Sequence, residues 1–317
     1  MSSTKKSVLC VGDVALDVIV KLEIDGGRES FATLRYGSDT PSHVITRGGG
    51  TGANVAAWLT TTETQVELVA RIGADSVGEA LVRELEEQGV RCHRRVIADL
   101  STGTVVVLVD RSGERTMFPD SGANAGLNPQ DLPDLDALAA CYISGYALFN
   151  KKSHSGVLRI FELLRKASIP IFFDPASVGT MSTFADHDTI MATLPLSDVM
   201  ILNESEARFL AGLESDSDSR KMTTEEMLKA LTRFASVVVI KRNEMGAVAL
   251  DGRDGRFFED RQPRRNPVDT TGAGDSFAAG FIAEWVKERD IAAALRSGNQ
   301  MAGQCVEVIG ARPLKSR

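Results

Sequence analysis

Short apolar runs alternate with amphipathic stretches from about residue 130 to the end of the chain. Apolar runs bounded by polar residues are typical of strands buried on both faces, and apolar residues at helical spacing indicate helices. The predicted strands are Cys141–Ser144, Ile169–Asp174, Val199–Asn203, Ser236–Lys241 and Ala247–Asp251. The predicted helices are Gly156–Ala167, Ser205–Ala211, Thr223–Phe234, Ser276–Lys287 and Asp290–Val306. This alternation predicts a mostly parallel sheet covered by helices on both faces.

The first half of the chain contains elements of the same kind and two stretches of another kind. The former are the strands Ser7–Val11 and Glu67–Arg71, the helical stretch Ala53–Thr60 and a helix from Ser76 to Gly89. The latter, near 18–46 and 93–119, have strand-like patterns around turn signals at Gly26-Gly27 and Ser112-Gly113, as hairpins do. We therefore predict a single α/β domain over 1–317, in which these two segments pair into a small β-sheet lid.

The stretch Asp269–Phe281, DTTGAGDSFAAGF, carries the strongest chemical signal. Its small residues Gly272, Ala273 and Gly274 let backbone N–H groups approach a ligand, and a helix start adds unpaired donors and partial positive charge. Together these features predict an anion site. A carboxylate there, Asp275, repels an anion but can take a proton from a neighbouring hydroxyl, which indicates phosphoryl transfer to an alcohol. The alternative is a carboxylate that only stabilises the helix start.

Two polar clusters in the first half of the chain are suited to binding substrate hydroxyls. Asp13 and Asp17 follow the first strand, and α/β sheets bind ligands beyond the carboxyl ends of their strands. The alternative is that one aspartate caps the turn while the other faces solvent. The second cluster is the block Gly49, Gly50, Thr51, Gly52, Ala53 and Asn54. Its glycines bring backbone close to a ligand, and its asparagine offers both a donor and an acceptor.

The same glycines also fit a loose dinucleotide fingerprint, Gly48-x-Gly50-x-x-Ala53. Such a fingerprint is expected to follow a strand at the start of a βαβ unit, whereas Ser42–Arg47 is polar. The next predicted strand ends at Arg71 instead of at an acidic residue for a ribose hydroxyl, but an arginine permits an NADP variant. An NADP-linked oxidoreductase therefore stays open as an alternative.

The glycine block and the C-terminal stretch together resemble the signatures of the PfkB (ribokinase-like) carbohydrate kinases. GGTGAN matches that family's GGxGAN motif, and DTTGAGDSFAAGF matches its C-terminal signature nearly residue for residue. The resemblance covers nearly the whole chain. It implies a three-layer ribokinase-like α/β fold with a lid, and an ATP-dependent kinase that uses Mg²⁺. It further implies that Gly272, Ala273 and Gly274 line an anion hole and that Asp275 is the catalytic base.

The resemblance also implies binding roles elsewhere in the chain. The implied substrate contacts are Asp13, Asp17, Gly49, Gly50, Thr51 and Asn54. The implied nucleotide contacts are Asn203, Glu206, Lys241, Asn243, Gly246, Thr271, Gly272, Gly274 and Asn299, with Glu206 acting on hydrated Mg²⁺. Asp269 and Thr271 are candidates for a monovalent-cation site, such as one for K⁺. Arg115, on the second lid segment, is a candidate for an anionic substrate group or for a neighbouring carboxylate.

Each of these roles has a plainer alternative, and some positions depart from the family. Glu206 is also suited to capping a helix. The turn after Lys241 could simply be exposed to solvent, and Asn299 could be an ordinary polar residue of a helix. Glycine is common in the family where Asn243 stands, so nucleotide affinity is in question. Ribokinases often have a polar residue in place of Ala15 and tend to have lysine in place of Thr51, which disfavours ribose. The substrate stays open among sugars, sugar acids, sugar phosphates and nucleosides.

Composition narrows the classes of function. The 317 residues are 43% hydrophobic and 25% charged, as in ordinary globular proteins, and the net charge of −7 lacks the basic footprint of a nucleic-acid binder. The four cysteines and four histidines show no zinc-site spacing. Asp13 and Asp17 interrupt the apolar N-terminal run, so we predict a cytoplasmic protein without a signal peptide or membrane span there. A non-catalytic nucleotide- or sugar-sensing protein is a further alternative, and an exposed edge of the lid sheet favours a homodimer.

Overall fold

The computed structural model describes residues 6–22, 37–111, 115–213, 222–261, 265 and 267–314. Its strands are β1 (Ser7–Val11), β2 (Ala15–Leu22), β3 (Ser42–Gly49), β4 (Val66–Gly73), β5 (Arg91–Ile97), β6 (Gly103–Val109), β7 (Arg115–Asp120), β8 (Leu138–Ser144), β9 (Ile171–Asp174), β10 (Ser197–Asn203), β11 (Ala235–Lys241), β12 (Ala247–Asp251) and β13 (Phe257–Asp260). Its helices are α1 (Thr51–Leu59), α2 (Ser76–Glu87), α3 (Gly145–Leu148), α4 (His154–Lys166), α5 (Val178–Phe184), α6 (His187–Thr193), α7 (Glu204–Leu210), α8 (Thr224–Leu231), α9 (Ala273–Glu288) and α10 (Ile291–Cys305). The predicted turns at Gly26-Gly27 and Ser112-Gly113 lie outside the described residues.

Within the described residues, nine strands form one large sheet in the order β13-β12-β11-β10-β9-β8-β1-β4-β5. The pairs from β5 through to β11 are parallel, whereas β12 and β13 form an antiparallel edge. The predicted mostly parallel sheet is therefore confirmed.

Helices cover both faces of this sheet, which explains why its strands are so apolar. Helices α1, α2, α9 and α10 pack on one face, and α3 to α8 pack on the other. Successive side chains of a strand point to opposite faces. Accordingly Phe172 and Phe173, neighbours in β9, are both fully buried but belong to different cores. The three layers that the sequence predicted are present.

A second sheet of four strands, in the order β3-β2-β6-β7, stands apart from the large one. Strand β2 pairs antiparallel with β3 and parallel with β6, and β6 pairs antiparallel with β7. Residues 42–47 belong to β3 although they are polar. Backbone pairing with β2 fixes this edge strand, and its largely exposed side chains need no apolar pattern.

The boundaries of the small sheet differ from those predicted. The second lid segment was expected to begin near residue 93, but Arg91–Ile97 pairs parallel with β4 in the large sheet. The part of the second lid segment that belongs to the small sheet begins at Gly103, with β6. The strands of the first lid segment are β2, which begins at Ala15, and β3, which ends at Gly49. The sequence pattern did not separate β5 from β6 because both are short strands followed by loops.

Side-chain hydrogen bonds fix the points where the chain passes between the two sheets. Asn124 accepts from Val14 N at 3.0 Å and donates to Val14 O at 2.9 Å, directly before β2. Asp75, which caps α2, accepts from Thr102 N and from Thr102 Oγ1, each at 2.7 Å, directly before β6. These hydrogen bonds fix the position of the small sheet relative to the large one. None of the described helices combines the length and the apolarity that crossing a membrane requires.

Candidate active site

Helix α9 begins at a position where only glycine fits. Gly272, the residue before the helix, has φ 78° and ψ 2°, and a Cβ there would lie 2.6 Å from Cα of Ala311. Both the left-handed backbone and this close contact require glycine. The first N–H groups of a helix have no acceptor within it, so Ala273 and Gly274 lie at the positive end of the α9 dipole. Ala273 N makes a long hydrogen bond of 3.3 Å to Thr270 O in the turn before the helix. This is the backbone that the predicted anion site requires.

Asp275 lies on the same turn, where a side chain from α1 holds it. Asn54 Nδ2 donates a hydrogen bond of 2.8 Å to Asp275 Oδ2. Burial raises the pKa of Asp275 to about 7, with a further rise from Asp174 and Asp13 and opposing effects from Asn54 and Lys241. A carboxyl group with a pKa near neutrality is suited to accepting and releasing a proton at physiological pH.

Lys241, the last residue of β11, brings an ammonium group to the start of α9. Its Nζ lies 2.9 Å from Asp174 Oδ2 and 3.2 Å from the position that a Cβ on Gly274 would take. Burial acts to lower the pKa of Lys241, but Asp174, Glu206 and Asp275 raise it above its ordinary value. The ammonium is therefore charged at the point where a phosphate would meet the helix start.

Asn203 and Glu206 cap the start of α7 reciprocally. Glu206 accepts from Asn203 N at 2.8 Å and from Asn203 Nδ2 at 2.6 Å, and its own N donates to Asn203 Oδ1 at 2.8 Å. Burial, helped by Asp174 and opposed by Lys241, raises the pKa of Glu206 to about 7. Glu206 is therefore both a helix cap and a member of the charged cluster at the strand ends.

Two carboxylates follow β1 and face the glycine block. Asp13 Oδ2 accepts from Thr51 N at 3.1 Å, while Asp13 Oδ1 is buried without a hydrogen-bond partner among the described residues. A buried acceptor without a partner is costly, so Asp13 Oδ1 is a candidate to accept from a ligand hydroxyl. The carboxylate of Asp17 lies so close to Gly49 that a Cβ on Gly49 would clash with it. Burial and Asp13 raise the pKa of Asp17 to about 6 against the charge of Arg312.

The glycine block packs tightly against the loop after β1 as it turns into α1. Gly50 has φ 91°, and a Cβ there would lie 2.5 Å from Asp13 O. A Cβ on Gly52 would lie 2.7 Å from Cα of Gly12. These close contacts require glycine whether or not a ligand is bound.

The turn after β11 forms with asparagine in a conformation that favours glycine. Asn243 has φ 51° and Gly246 has φ 82°, and Arg242 N donates to Gly246 O at 2.7 Å. Asparagine adopts left-handed backbone more readily than most residues, so the substitution leaves the turn intact.

Arg115 and Asn299 both bind groups of the protein. Arg115 Nη2 lies 2.9 Å from Asp269 Oδ1 and donates to Thr270 Oγ1 at 2.8 Å. This contact with a neighbouring carboxylate is one of the two alternatives that the sequence left open. Asn299 Nδ2 donates to Asp260 O at 3.1 Å and to Asp260 Oδ2 at 2.7 Å, which ties α10 to β13. This is the ordinary structural role for Asn299.

The chain that carries this site matches one known family along nearly its whole length. Residues 5–317 match the model of the pfkB family of carbohydrate kinases. The chain belongs to the pfkB family. The identification made from the two glycine-containing motifs is confirmed, and with it the kinase class.

Two curated relatives show how far sequences diverge within the pfkB family. A ribokinase from Arabidopsis thaliana is 26% identical over 314 residues, which is 96% of this chain and 77% of that protein. An ATP-dependent ribose-1-phosphate kinase from Halopiger xanaduensis is 27% identical over 306 residues, which is 96% of this chain and 93% of that protein.

Solved structures show the same fold. A probable sugar kinase from Rhizobium etli superimposes with a TM-score of 0.83 at 23% identity, covering 99% of this chain and 96% of that one. The adenosine kinase from Sinorhizobium meliloti gives a TM-score of 0.82 at 22% identity, covering 98% of this chain and 97% of that one.

Membership of the pfkB family is incompatible with the NADP-linked oxidoreductase. The structure explains the two features that suggested it, Arg71 and the glycine fingerprint. Arg71 is buried, with Nη1 2.9 Å from Asp131 Oδ2 and Nε donating to Ala123 O at 2.9 Å. Its guanidinium is therefore committed to the protein. The block Gly48–Ala53 begins in the last two residues of β3, which pairs antiparallel with β2 in the small sheet, so it does not start a parallel βαβ unit.

Sequence reasoning missed two charged residues of this site. Asp174 is the last residue of β9, and its carboxylate forms an ion pair with Lys241. A carboxylate at the end of an apolar strand was a usable signal for Asp174, just as a carboxylate near the end of β1 was for Asp13. Arg312 lies in the C-terminal segment and donates to Gly49 O at 2.9 Å. No motif surrounds Arg312, so only the fold could bring it to the glycine block.

The carboxylates at the ends of β9 and β10 are suited to a hydrated Mg²⁺. Asp174 and Glu206 are buried carboxylates, and the charge of Lys241 acts on both of them and on Asp275. In the described part of the chain no cluster of three or more His, Cys, Asp and Glu could hold a metal ion. Magnesium keeps several of its waters, so it needs few direct protein ligands.

The carboxylate of Asp269, proposed for a monovalent cation, already has a guanidinium beside it. Asp269 Oδ1 accepts from Thr271 N, from Thr271 Oγ1 and from Arg115 Nη2, at 2.9, 2.6 and 2.9 Å. Its Oδ2 accepts from Gly310 N at 3.0 Å. Burial acts to raise the pKa of Asp269, but these hydrogen bonds and the Arg115 charge hold it below its usual value.

This arrangement predicts turnover without K⁺. Replacing K⁺ and Na⁺ by tetramethylammonium in the assay should leave the rate unchanged, because Arg115 supplies the positive charge at Asp269. In Arg115→Gln the rate should fall and K⁺ should restore part of it. Arg261→Gln, which alters an exposed arginine, is the control. A wild-type enzyme that loses its activity without K⁺ would contradict this prediction.

Proposed function

We propose that this pfkB family kinase transfers the γ-phosphoryl group of ATP to a hydroxyl of a sugar or sugar-like small molecule, with Asp275 as general base. The observation that supports the proposal is the arrangement around the start of α9. Asp275, a carboxyl group with a pKa of about 7, stands on the first turn of α9, and the partly buried ammonium of Lys241 reaches the same helix start at Gly274. Phosphoryl transfer needs a proton acceptor and a positive site for phosphate side by side.

In this mechanism Asp275 takes the proton of the attacking hydroxyl. Because its pKa is raised by burial, the ionised carboxylate is a stronger base than an exposed aspartate at the same pH. The hydrogen bond from Asn54 Nδ2 leaves Asp275 Oδ1 to face the hydroxyl.

The amides of Gly272, Ala273 and Gly274 form the anion hole for the migrating phosphoryl group. Lys241 adds a full charge beside them. Oxyanion donors of this kind typically lower a barrier by about 3–4 kcal/mol each. Gly272 acts through its backbone, whose left-handed conformation turns the chain into α9.

MgATP binds across the carboxyl ends of β10 and β11 in this proposal. Its proposed contacts are Asn203, Glu206, Lys241, Asn243, Gly246, Thr271 and the turn Gly272–Gly274. Asp174 and Glu206 are the residues that would hold a hydrated Mg²⁺, through its waters. We also propose a cytoplasmic location, where ATP is available.

The acceptor binds between the loop after β1 and the glycine block. Its proposed contacts are Asp13, Asp17, Gly49, Gly50, Thr51 and Asn54, of which Asp13 offers an unpaired buried oxygen. Arg115 is bound to Asp269 and is not needed for the acceptor. Because Ala15 and Thr51 depart from ribokinase residues, a sugar other than ribose is favoured. A nucleoside is the second candidate, since an adenosine kinase shares the fold.

The isosteric variant Asp275→Asn tests the role of the base. We expect turnover to fall by about 10²- to 10⁴-fold, the usual contribution of a general base, with unchanged affinity for MgATP. A coupled assay of ADP release over D-ribose, D-fructose, ribose 1-phosphate, adenosine and inosine measures turnover, and calorimetry measures MgATP binding.

The control for this variant is Asp254→Asn, an exposed carboxylate in the turn between β12 and β13. Wild-type turnover in Asp275→Asn would remove the assignment of the base. If the wild-type protein binds MgATP but turns over no acceptor of a wider panel, the non-catalytic sensing protein is the better description.

The pKa of Asp275 predicts how activity depends on pH. Burial raises this pKa to about 7, so the base is increasingly protonated below that pH and turnover should fall as the pH drops from 8 to 6. Glu206 has a pKa of about 7 as well. The acidic limb of the kcat/KM profile, which reports groups of the free enzyme, should therefore persist in Glu206→Gln, and a limb that disappears in that variant would assign it to Glu206 instead.

We propose that two copies of the chain associate through the outer face of the small sheet. Cross-strand partners share a face, so Val44, Val20, Val18, Val106 and Phe118 lie together on the face opposite to that of Asp17. Val44 and Phe118 are each 55% exposed, and exposed apolar sheet surface favours association.

Sedimentation velocity tests this association directly. The wild-type protein should sediment with the mass of two chains, and Phe118→Lys should sediment as one chain because it places a charge in the apolar face. The substitution Thr116→Lys lies on the same strand at a less apolar position and is the milder comparison. A monomeric wild-type protein at micromolar concentration would contradict the proposal.

A further inference from the structure

Arg312 inserts a buried guanidinium between the glycine block, α1 and α2. The residue is 7% exposed. Its Nη2 donates to Gly49 O at 2.9 Å, its Nη1 lies 3.2 Å from Glu84 Oε1, and its Nε donates to Asn54 Oδ1 at 3.3 Å. Gly48 has no side chain at this point, and a Cβ there would clash with the guanidinium. One arginine therefore joins the acceptor side of the site to the side chain that holds Asp275.

The contact with Asn54 determines which way its amide faces. A guanidinium only donates hydrogen bonds and an ionised carboxylate only accepts them. Asn54 lies between the two, so its oxygen faces Arg312 and its nitrogen faces Asp275. The reverse orientation would place the amide oxygen against the carboxylate and the amide nitrogen against the guanidinium, and both contacts would be repulsive. Arg312 thus excludes the wrong orientation of Asn54.

We propose that Arg312 is a positioning residue for the reaction: by fixing the amide of Asn54 it keeps a hydrogen-bond donor on the base Asp275. This inference rests on the proposed function of Asp275. The hydrogen bond to Gly49 O gives Arg312 a second hold on the turn beside the acceptor. The sequence offered no motif for this role, because Asn54 and Arg312 are 258 residues apart.

The charged groups around Asp275 and around Arg312 determine how a change at Arg312 affects the protonation of Asp275. Asp275 has Asp174, Lys241 and Asp13 near it, besides Asn54. Arg312 has Glu84, Asp17 and Cys92 near it. Removing the Asn54 donor from an ionised carboxylate raises its pKa, because hydrogen bonds to the charged form favour that form. Loss of Arg312 should therefore raise the pKa of Asp275 above about 7.

The test is a carbon-13 NMR titration of aspartate carboxyl groups in the full-length protein without ligand. The Asp275 signal is identified by its absence from the spectrum of Asp275→Asn. We expect Arg312→Gln to raise the pKa of Asp275 by about one pH unit, as for the loss of one charge-assisted hydrogen bond. Arg94→Gln, which alters an exposed ion pair with Glu79, is the control and should not change it.

Two further variants separate positioning from folding. Arg312→Lys keeps a cation near Glu84 but lacks the fork that reaches both Asn54 and Gly49, so it should shift the pKa in the same direction if Arg312→Gln fails to fold. In Asn54→Ala, which has no amide to orient, adding Arg312→Gln should produce little further shift, because the two side chains act in series.

An unchanged Asp275 pKa in folded Arg312→Gln or Arg312→Lys would overturn the inference, and so would a full additional shift in the Asn54→Ala background. The titration does not depend on turnover. If Asp275→Asn is inactive while Arg312 variants leave the pKa unchanged, only this inference fails. If Asp275→Asn stays active, the proposed function of Asp275 fails whatever the titration shows.

Discussion

The partly buried hydrogen bond between Asn54 and Asp275 is the interaction on which the site depends. It joins the helix after the glycine block to the helix after the anion turn, and so brings two distant parts of the chain to one point. It also moderates a carboxyl group whose pKa burial raises to about 7. Without a donor here, the same burial would favour the protonated carboxyl and remove the base.

The charges around this bond are unbalanced, and that imbalance is suited to binding a nucleotide with its metal. Asp174, Glu206 and Asp275 share the ammonium of Lys241, and burial raises the pKa of Glu206 and of Asp275 to about 7. A divalent cation that enters with ATP supplies positive charge where the protein has little. On the acceptor side Arg312 opposes the effect of burial on Asp17 in the same way.

Local sequence patterns predicted the layers of the fold, and they picked out most of the residues that the structure brings together at the candidate site, because both follow from short-range signals. Apolar runs marked the strands, and the string around Asp275 marked the anion turn. The pattern failed where tertiary pairing decides the outcome: Arg91–Ile97, expected in the lid, joins the large sheet through β4. Arg312 was missed because nothing adjacent to it in sequence indicates where its side chain lies.

A crystal structure with MgADP and aluminium fluoride tests the central claim most directly, because this complex mimics the migrating phosphoryl group. The account predicts that the fluoride complex lies within hydrogen-bond distance of the amides of Ala273 and Gly274 and of Lys241 Nζ, with Asp275 facing its open side. A fluoride complex bound away from the start of α9, or an Asp275 carboxylate turned away from it, would contradict the account.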